Sequence, residues 1–309
     1  MNRLTFGAVA GWAALVAGAA AAQQPAAPAA PQQNFAAVQV KATDLGHRTW
    51  MLEGAGGNVT VIAGDDGAIM VDTQFAPMHD KLKAAIAETA HRPVKYVVNT
   101  HLHGDHTGGN QAFWMDGATI VGNDLLKKSM AEGTTNALSG AKTAPAPAAA
   151  LPTRTYADKM TLSVKGRTVQ LVHMPHAHTR GDTAVFVPDA NVIATGDIVS
   201  VGNRYPNVDV GDEGGINGMV GGVDAYLKRA NAKTKIVPGH GPLMSRDDLV
   251  KYRTLLGDAR DAVKALKAKG MSEDAVVAAK PFAASIQGRA GATDQQSVTF
   301  ERLIFRSVG

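Results

Sequence analysis

The sequence contains no cysteine in its 309 residues. Disulfide bonds, thiolate metal ligands and a cysteine nucleophile are therefore excluded, and any metal site must be built from histidine and carboxylate ligands. Aromatic residues are also scarce, at 5% of the chain. They are too few and too scattered to form the stacking surface on which single-stranded nucleic acids bind.

An excess of charge of one sign is also missing. The 31 basic residues nearly balance the 27 acidic ones, and the net charge is +4. No run of basic residues is longer than two, as at Lys127 and Lys128. We therefore expect no nucleic-acid partner. Hydrophobic residues, in contrast, make up 45% of the chain, which is enough for a large core and excludes disorder of the chain as a whole.

The N-terminus has the pattern of a secretory signal peptide over residues 1–22. A positive charge at Arg3 precedes an uncharged stretch that ends in the small residues of 20–22. A membrane anchor is the alternative, but the stretch is short and mostly Ala and Gly. We expect cleavage after Ala22, no stable membrane anchor afterwards, and a periplasmic or secreted protein. Residues 23–36 then form a Pro/Ala-rich disordered linker, and residues 37–309 form one domain.

The mature chain alternates between strand and helix patterns in two similar halves. The first half has short β-rich segments between residues 38 and 71, a helix over Met78–Ala90 and a buried strand over Val94–Asn99. The second has strand patterns between residues 161 and 195, a helix over Val223–Ala232 and a strand over Lys235–Val237. The pattern predicts an α/β fold in which two mostly antiparallel or mixed β-sheets are flanked by helices, an αββα sandwich.

One polar segment departs from this pattern. Residues Gly202–Gly222 are rich in glycine and carry several charged side chains, which predicts a mobile flap. Arg204 lies on this segment and is a candidate to bind a substrate carboxylate through its guanidinium group.

The densest group of reactive side chains follows the strand Val94–Asn99. His101, His103, Asp105 and His106 lie within six residues. On an extended backbone, side chains two positions apart point the same way, so His101 and His103 can hold one ion together, while Asp105 and His106 face a second. Asp105 alone would also suit a helix N-cap, but so many imidazoles and carboxylates in one place would repel one another without a metal.

The remaining ligands of such a site must come from other parts of the chain. Polar groups follow three further predicted strands, at the strand ends where sites are usually built. They are His176 and His178 after the strand that ends at His173, Asp197 after the strand that ends at Thr195, and His240 after the strand that ends at Val237.

The motifs HLHGDH, HTRGD, TGD and PGHG, in this order, resemble the metallo-β-lactamase superfamily over most of the mature chain. The resemblance implies the αββα fold of that superfamily and two Zn²⁺ ions per chain. His101, His103 and His178 would hold the first zinc, Asp105, His106 and His240 the second, and Asp197 would bridge the two. The HTRGD context selects His178 as the ligand and leaves His176 as a candidate contact to substrate.

The resemblance also implies a hydrolase that acts on a small-molecule substrate. A metal-bound hydroxide would attack an amide or ester bond, and Asp105 would orient it. Hydrolysis of β-lactams is the first expectation, because an exported enzyme meets antibiotics. The alternatives are a thioester or lactone hydrolase similar to glyoxalase II, another ester hydrolase, and a non-catalytic periplasmic zinc-binding protein. Asp197 stands where the best-known β-lactamases have cysteine, which favours the wider hydrolase pattern. The oligomeric state is left open.

Overall fold

The computed structural model describes residue 1, residues 33–281 and residues 293–309. The predicted signal peptide, apart from Met1, and most of the predicted linker lie outside the described residues. A compact unit spans Phe35–Gly309. It includes Phe35 and Ala36 from the predicted linker, whose carbonyl oxygens accept hydrogen bonds from Lys81 Nζ at 2.8 and 2.7 Å. Within the described ranges, no helix has both the length and the apolar character to span a bilayer.

The first half of the chain forms a seven-stranded sheet with the order β1-β2-β3-β4-β5-β6-β9. Its strands β1 to β4 are antiparallel, and β4, β5, β6 and β9 are parallel. The strands are β1 Lys41–Gly46, β2 Thr49–Glu53, β3 Val59–Ala63, β4 Ala68–Val71, β5 Val94–Val98, β6 Thr119–Asn123 and β9 Arg154–Tyr156.

The second half forms a five-stranded sheet with the order β10-β11-β12-β13-β14. It is antiparallel except for the parallel pair β13 and β14. Its strands are β10 Lys159–Val164, β11 Arg167–Met174, β12 Asp182–Val187, β13 Val192–Ala194 and β14 Lys235–Val237. A separate short hairpin pairs β7 Thr134–Thr135 with β8 Lys142–Thr143.

The helices cover the outer faces of the two sheets. The helices are α1 His79–Thr89, α2 Gly104–Thr107, α3 Asn110–Met115, α4 Asp124–Glu132, α5 Ile216–Arg229, α6 Arg246–Ala268, α7 Glu273–Ala279 and α8 Asp294–Ser307. Ser245 begins α6 and Thr293 begins α8 with a capping box, in which the side chain of the residue before the helix accepts from a backbone N–H of the first turn.

Successive side chains along a strand point to opposite faces of its sheet, and the buried apolar side chains form three layers. On β4, Ile69 and Val71 face the second sheet, whereas Met70 faces α1, where it packs with Leu82 and Ile86. The central layer joins the inner faces of both sheets, and the third layer packs the second sheet against α5, α6 and α8. The predicted αββα sandwich is confirmed.

Two boundaries differ from the sequence prediction. The first strand begins at Lys41, not within residues 38–40, which precede it as a connection. The predicted flap Gly202–Gly222 is irregular only in its first part, because α5 already begins at Ile216. Ile216, Met219 and Val220 are buried against the second sheet, and this burial outweighs the low helix propensity of Gly218, Gly221 and Gly222 in the same helix.

Candidate metal centre

The ends of strands from both sheets meet at one rim of the sandwich. His101 follows β5 on the first sheet, Asp197 follows β13 on the second, and His240 follows β14 beside it. α2 is a single turn that begins directly after His103 and carries Asp105 and His106. The backbone thus changes direction within the HLHGDH motif, and the turn places its last two polar side chains toward the second sheet.

All seven side chains predicted as metal ligands come together at this rim. They form three overlapping groups in which the ligand atoms lie within 4.8 Å of one another. The groups are His101, His103 and His178; His101, His106 and Asp197; and Asp105, His106 and His240. The middle group, which consists of His101, His106 and Asp197, shares His101 with the first group and His106 with the third. Asp197 therefore lies between two ion-sized sites.

The distances between donor atoms suit the coordination of cations. Nδ1 of His103 lies 3.0 Å from Nε2 of His178. Nε2 of His240 lies 3.1 Å from Oδ2 of Asp105 and 3.4 Å from Oδ2 of Asp197, and Nε2 of His106 lies 3.3 Å from Oδ1 of Asp197. Ligands about 2.0–2.1 Å from a tetrahedral zinc ion lie roughly 3.3–3.4 Å apart, so these separations match such a shell.

Two buried ligand atoms in this cluster have no hydrogen-bond partner among the described residues. They are Nε2 of His101 and Oδ1 of Asp197. A buried polar atom without a partner is costly, and a bound metal ion would give both of these atoms a partner. Nitrogen and carboxylate donors without sulfur are compatible with zinc. The donor set therefore fits the two zinc ions that the resemblance implies.

Burial keeps two of the histidines neutral. It lowers the pKa of His101 well below the usual histidine value, and the neighbouring His106 and His178 lower it further. Burial, with a contribution from His103, also lowers the pKa of His178 to about 4. Neutral imidazoles present a nitrogen lone pair, and this is the form in which histidine binds metal.

Around His106 and Asp105, attraction between opposite charges outweighs the effect of burial on the pKa values. Burial alone would lower the pKa of His106, but the Asp197 and Asp72 carboxylates raise it well above its usual value. Burial would raise the pKa of Asp105, but the hydrogen bond with His240 and the charge of His106 bring it down to about 2. Asp105 is thus an anion at neutral pH, and its side chain is 27% exposed, more than those of Asp197, His106 and His240.

Asp72 orients one histidine of each ion-sized site, His101 in the first and His106 in the second. Its Oδ2 lies 2.8 Å from Nδ1 of His106 and accepts a hydrogen bond of 2.7 Å from the Thr100 hydroxyl, which in turn lies 3.0 Å from Nδ1 of His101. With their Nδ1 atoms engaged in this way, His101 and His106 direct Nε2 into the cluster. Such outer contacts fix the tautomer and the ring orientation of metal ligands.

The loop between β13 and α5 accepts hydrogen bonds from His103 and His178. Nδ1 of His178 donates to the carbonyl oxygen of Asn207 at 2.9 Å, and Nε2 of His103 donates to Oδ2 of Asp209 at 2.9 Å. Burial would raise the pKa of Asp209, but this bond and the charge of His103 lower it. Asp209 is therefore a carboxylate that only accepts hydrogen bonds.

Sequence reasoning missed Asp72. It also missed Asn58, whose side-chain amide donates to the carbonyl oxygens of Pro238 and Gly241 on either side of His240. It noted Asp209 only as one of several polar residues in the flap. Asp72 directly follows the buried strand β4, so the strand-end rule that located the other ligands also applies to it. Asn58 and Asp209 have no comparable local signal.

The two predicted substrate contacts are not members of the donor groups. His176 is exposed, and its Nδ1 hydrogen-bonds to the carbonyl oxygen of Glu213. Of the two histidines that follow β11, His178 is the one that joins the donor groups. Arg204 is exposed on the loop that connects Asp197 to Asp209. A role of either His176 or Arg204 in substrate binding stays a prediction.

Two curated proteins resemble the chain at low identity. It is 27% identical over 161 residues to the 2,4-dinitroanisole O-demethylase subunit alpha of Nocardioides sp., covering 51% of this chain and 46% of that protein. It is 25% identical over 239 residues to a linear primary-alkylsulfatase of Pseudomonas sp., covering 66% of this chain and 44% of that protein. The chain thus spans less than half the length of these relatives.

Solved structures share the fold. A metallo-beta-lactamase from Pontibacter korlensis superposes with a TM-score of 0.59 and 21% identity over 71% of this chain and 100% of its own. A stereoselective inverting sec-alkylsulfatase from Pseudomonas sp. superposes with a TM-score of 0.64 and 15% identity over 86% of this chain and 50% of its own.

The family model of the metallo-beta-lactamase superfamily matches residues 52–217, which is more than half of the chain. This range includes β3 to β13 and six of the seven residues in the donor cluster. The chain belongs to the metallo-beta-lactamase superfamily.

Proposed function

We propose that this protein is a dinuclear zinc hydrolase that cleaves an ester-, ether- or amide-type bond in a small molecule. The observation that carries the proposal is the arrangement of the seven ligands in overlapping groups, with Asp197 in the middle group. His101, His103 and His178 would hold one ion, and Asp105, His106 and His240 the other. Asp197 would contact both.

A bound zinc pair supplies Lewis acidity and lowers the pKa of a water molecule toward neutrality. The protein's own contribution is to hold that water and its proton. Asp105 suits this role because its pKa of about 2 keeps it ionised, and because it is the most exposed carboxylate of the cluster. We assign to it the orientation of the attacking water, from which it accepts a hydrogen bond.

Several bond classes are candidates. The names of the curated relatives, an O-demethylase and an alkylsulfatase, favour cleavage at an oxygen of an ether or a sulfate ester. The carboxylate of Asp197, in place of the cysteine of the best-known β-lactamases, agrees with this wider hydrolase pattern. Ring opening of β-lactams, the first expectation from the sequence, remains the second candidate, and the lactone and thioester classes belong to the same test.

The experiment is a substrate panel with the purified protein, whose zinc content is quantified beforehand. The panel contains an alkyl sulfate, an aryl methyl ether, a lactone, a thioester and two β-lactams. We expect two zinc ions per chain and turnover in one class. Zinc binding without turnover on any of them would support the alternative, a non-catalytic zinc-binding protein.

A matched pair of variants tests the role of the cluster. His101→Ala should abolish turnover and lower the zinc content together, since it removes a ligand shared by two of the groups. His91→Asn changes an exposed histidine that lies outside the donor groups, at a backbone φ of 51° that asparagine tolerates. It should leave both zinc content and turnover unchanged. Full turnover in His101→Ala would contradict the proposal.

We also propose that the protein is exported, on the basis of the signal pattern over residues 1–22. N-terminal sequencing of the protein from a bacterial periplasmic fraction should find Gln23 as the first residue. A cytoplasmic protein that still begins at residue 1 or 2 would contradict export without affecting the hydrolase proposal.

A further inference from the structure

Asp209 forms a bridge between a distant loop and the metal-ligand cluster. Its two carboxylate oxygens have different partners. Oδ2 accepts from Nε2 of His103 at 2.9 Å, and Oδ1 accepts from the backbone N–H of Asp212 at 3.2 Å. Its backbone N–H donates to the carbonyl oxygen of His178 at 2.8 Å. The residue thus contacts two histidines of the first ion-sized group and also caps a turn of its own loop.

The bond from His103 determines which ring nitrogen remains available. An ionised carboxylate can only accept, so the hydrogen of the imidazole must be on Nε2. Nδ1 is then a bare lone pair, and it lies 3.0 Å from Nε2 of His178. The same loop fixes His178, whose Nδ1–H is bound to the Asn207 carbonyl oxygen. In the neutral form of His103 the two nitrogen lone pairs face each other at this distance, an arrangement that a bound metal ion satisfies.

We propose that Asp209 is a positioning residue that holds His103 in its metal-binding tautomer, and that the loop of residues 207–214 thereby sets the zinc affinity of the first site. The inference rests on the proposed zinc centre. It concerns a residue 106 positions away from its partner, and it assigns to the loop a structural part in metal binding in addition to any contact with substrate.

The two bonds of Asp209 make Asp209→Asn a selective test. Asparagine has one side-chain oxygen and one NH₂ group. If its oxygen keeps the cap on Asp212, its NH₂ faces Nε2–H of His103, donor against donor. His103 then favours the tautomer with hydrogen on Nδ1, which removes the lone pair needed for zinc. The variant therefore keeps the size of the side chain and the cap of the loop while it opposes the metal-binding tautomer.

The experiment measures zinc affinity by competition with a chromophoric chelator after the metal has been removed from the purified full-length protein. For Asp209→Asn and Asp209→Ala we expect the affinity of one of the two zinc ions to fall about 10- to 100-fold, as is usual when an outer partner of a metal ligand is lost. The absorption spectrum of the cobalt-substituted protein should change as well, because it reports the ligand geometry directly.

Glu213→Gln is the matched control, because it removes a negative charge from the same loop without a contact to the donor cluster. Glu213 is exposed and is paired with Arg180 and His176. Its zinc affinities should equal those of the wild-type protein. If the loss of any negative charge from this loop weakens zinc binding, Glu213→Gln will bind zinc more weakly too. That result would overturn the proposed role of Asp209.

The outcomes separate this inference from the proposed function. If the wild-type protein binds two zinc ions and Asp209→Asn binds them equally well, Asp209 has no positioning role while the zinc centre stands. If the wild-type protein binds no zinc, both fail.

A measurement on the wild-type protein keeps the inference testable even if the variants fold poorly. The ¹⁵N chemical shifts of the His103 ring in the metal-free protein, recorded at a pH at which the ring is neutral and assigned by comparison with His103→Gln, should be those of the tautomer with hydrogen on Nε2. The Nδ1–H tautomer would overturn the proposal.

Discussion

The side-chain amide of Asn58 donates to the carbonyl oxygens of Pro238 and Gly241, at 2.9 and 2.8 Å. These two residues flank Gly239 and His240, so a residue that precedes β3 on the first sheet holds the loop that carries a metal ligand of the second. The backbone supports this connection, since the N–H of Asn58 donates to the carbonyl oxygen of Gly239 at 2.7 Å. The second ion-sized group therefore spans the joint between the two sheets.

Asn58→Ala should weaken binding of one zinc ion and leave the other unchanged. Loss of both side-chain bonds frees the loop around His240, and we expect the affinity of the second site to fall roughly 10-fold. The first site, which His240 does not join, serves as the internal control in a two-step zinc titration. Asn58→Asp should be at least as weak, because a carboxylate cannot donate to the two carbonyl oxygens. Equal weakening of both sites would indicate a general loss of structure instead.

Gly57→Ala should displace His106. A Cβ on Gly57 would lie 2.1 Å from Cε1 of the His106 ring, far inside contact distance. The ring is buried and held by Asp72, so it cannot move away freely. We expect a loss of stability of about 1–3 kcal/mol from overpacking, together with weaker binding of zinc, measured by urea unfolding of the metal-free protein and by zinc titration.

Gly104→Ala is the control for this substitution. Gly104 lies in the same metal-binding motif, but a Cβ there would meet nothing within 4 Å. As the residue is in a helical turn, alanine should be neutral or stabilising by up to about 1 kcal/mol. Comparable damage from both substitutions would mean that the motif tolerates no added methyl group, and the specific clash with His106 would not be the cause.

Arg204→Ala should affect anionic substrates selectively. Arg204 is exposed on the loop that leads away from Asp197, where a guanidinium group can bind a carboxylate or sulfate. We expect a higher KM for an anionic substrate, an unchanged KM for a neutral substrate of the same bond class, and unchanged zinc content. If KM rises equally for both substrates, Arg204 does not recognise the anion.

Glu301 on α8 should make stability depend on pH. The residue is buried, with 1% of its surface exposed. Burial raises its pKa to about 7, although hydrogen bonding to Ser297 and the charge of Lys280 oppose the shift. The folded protein therefore binds this proton more tightly than the unfolded chain does. The folded state is favoured at low pH, and this advantage is lost as the pH rises from about 4.3, the unfolded value, through 7.

Glu301→Gln should remove this dependence. At pH 8 the variant should be more stable than the wild-type protein by up to ~3 kcal/mol, whereas at pH 4 the difference should be small. Thermal unfolding at the two pH values measures the effect, and Glu88→Gln, at an exposed position on α1, is the control. A gain in stability that is equal at both pH values would contradict the assignment of the titration to Glu301.

The sequence by itself determined the layer architecture and the chemical identity of the site. The period of two in β11 and the period of 3.6 in α6 report directly which faces are buried. His101, His103, Asp105 and His106 lie in one short segment, so their shared function is visible without a fold. The strand-end positions of Asp197 and His240 follow from the same local pattern.

Only the tertiary structure decided how these ligands are held. Asn58 and Pro238 are 180 residues apart, and His103 and Asp209 are 106 residues apart. A hydrogen bond over such a separation leaves no periodic pattern in the sequence, because each partner is a single polar residue in an irregular loop. The start of α5 at Ile216 could not be predicted from the sequence, for a related reason. Its glycines indicate a flexible loop, and only burial of Ile216 and Met219 against the second sheet supplies the free energy that makes the segment helical.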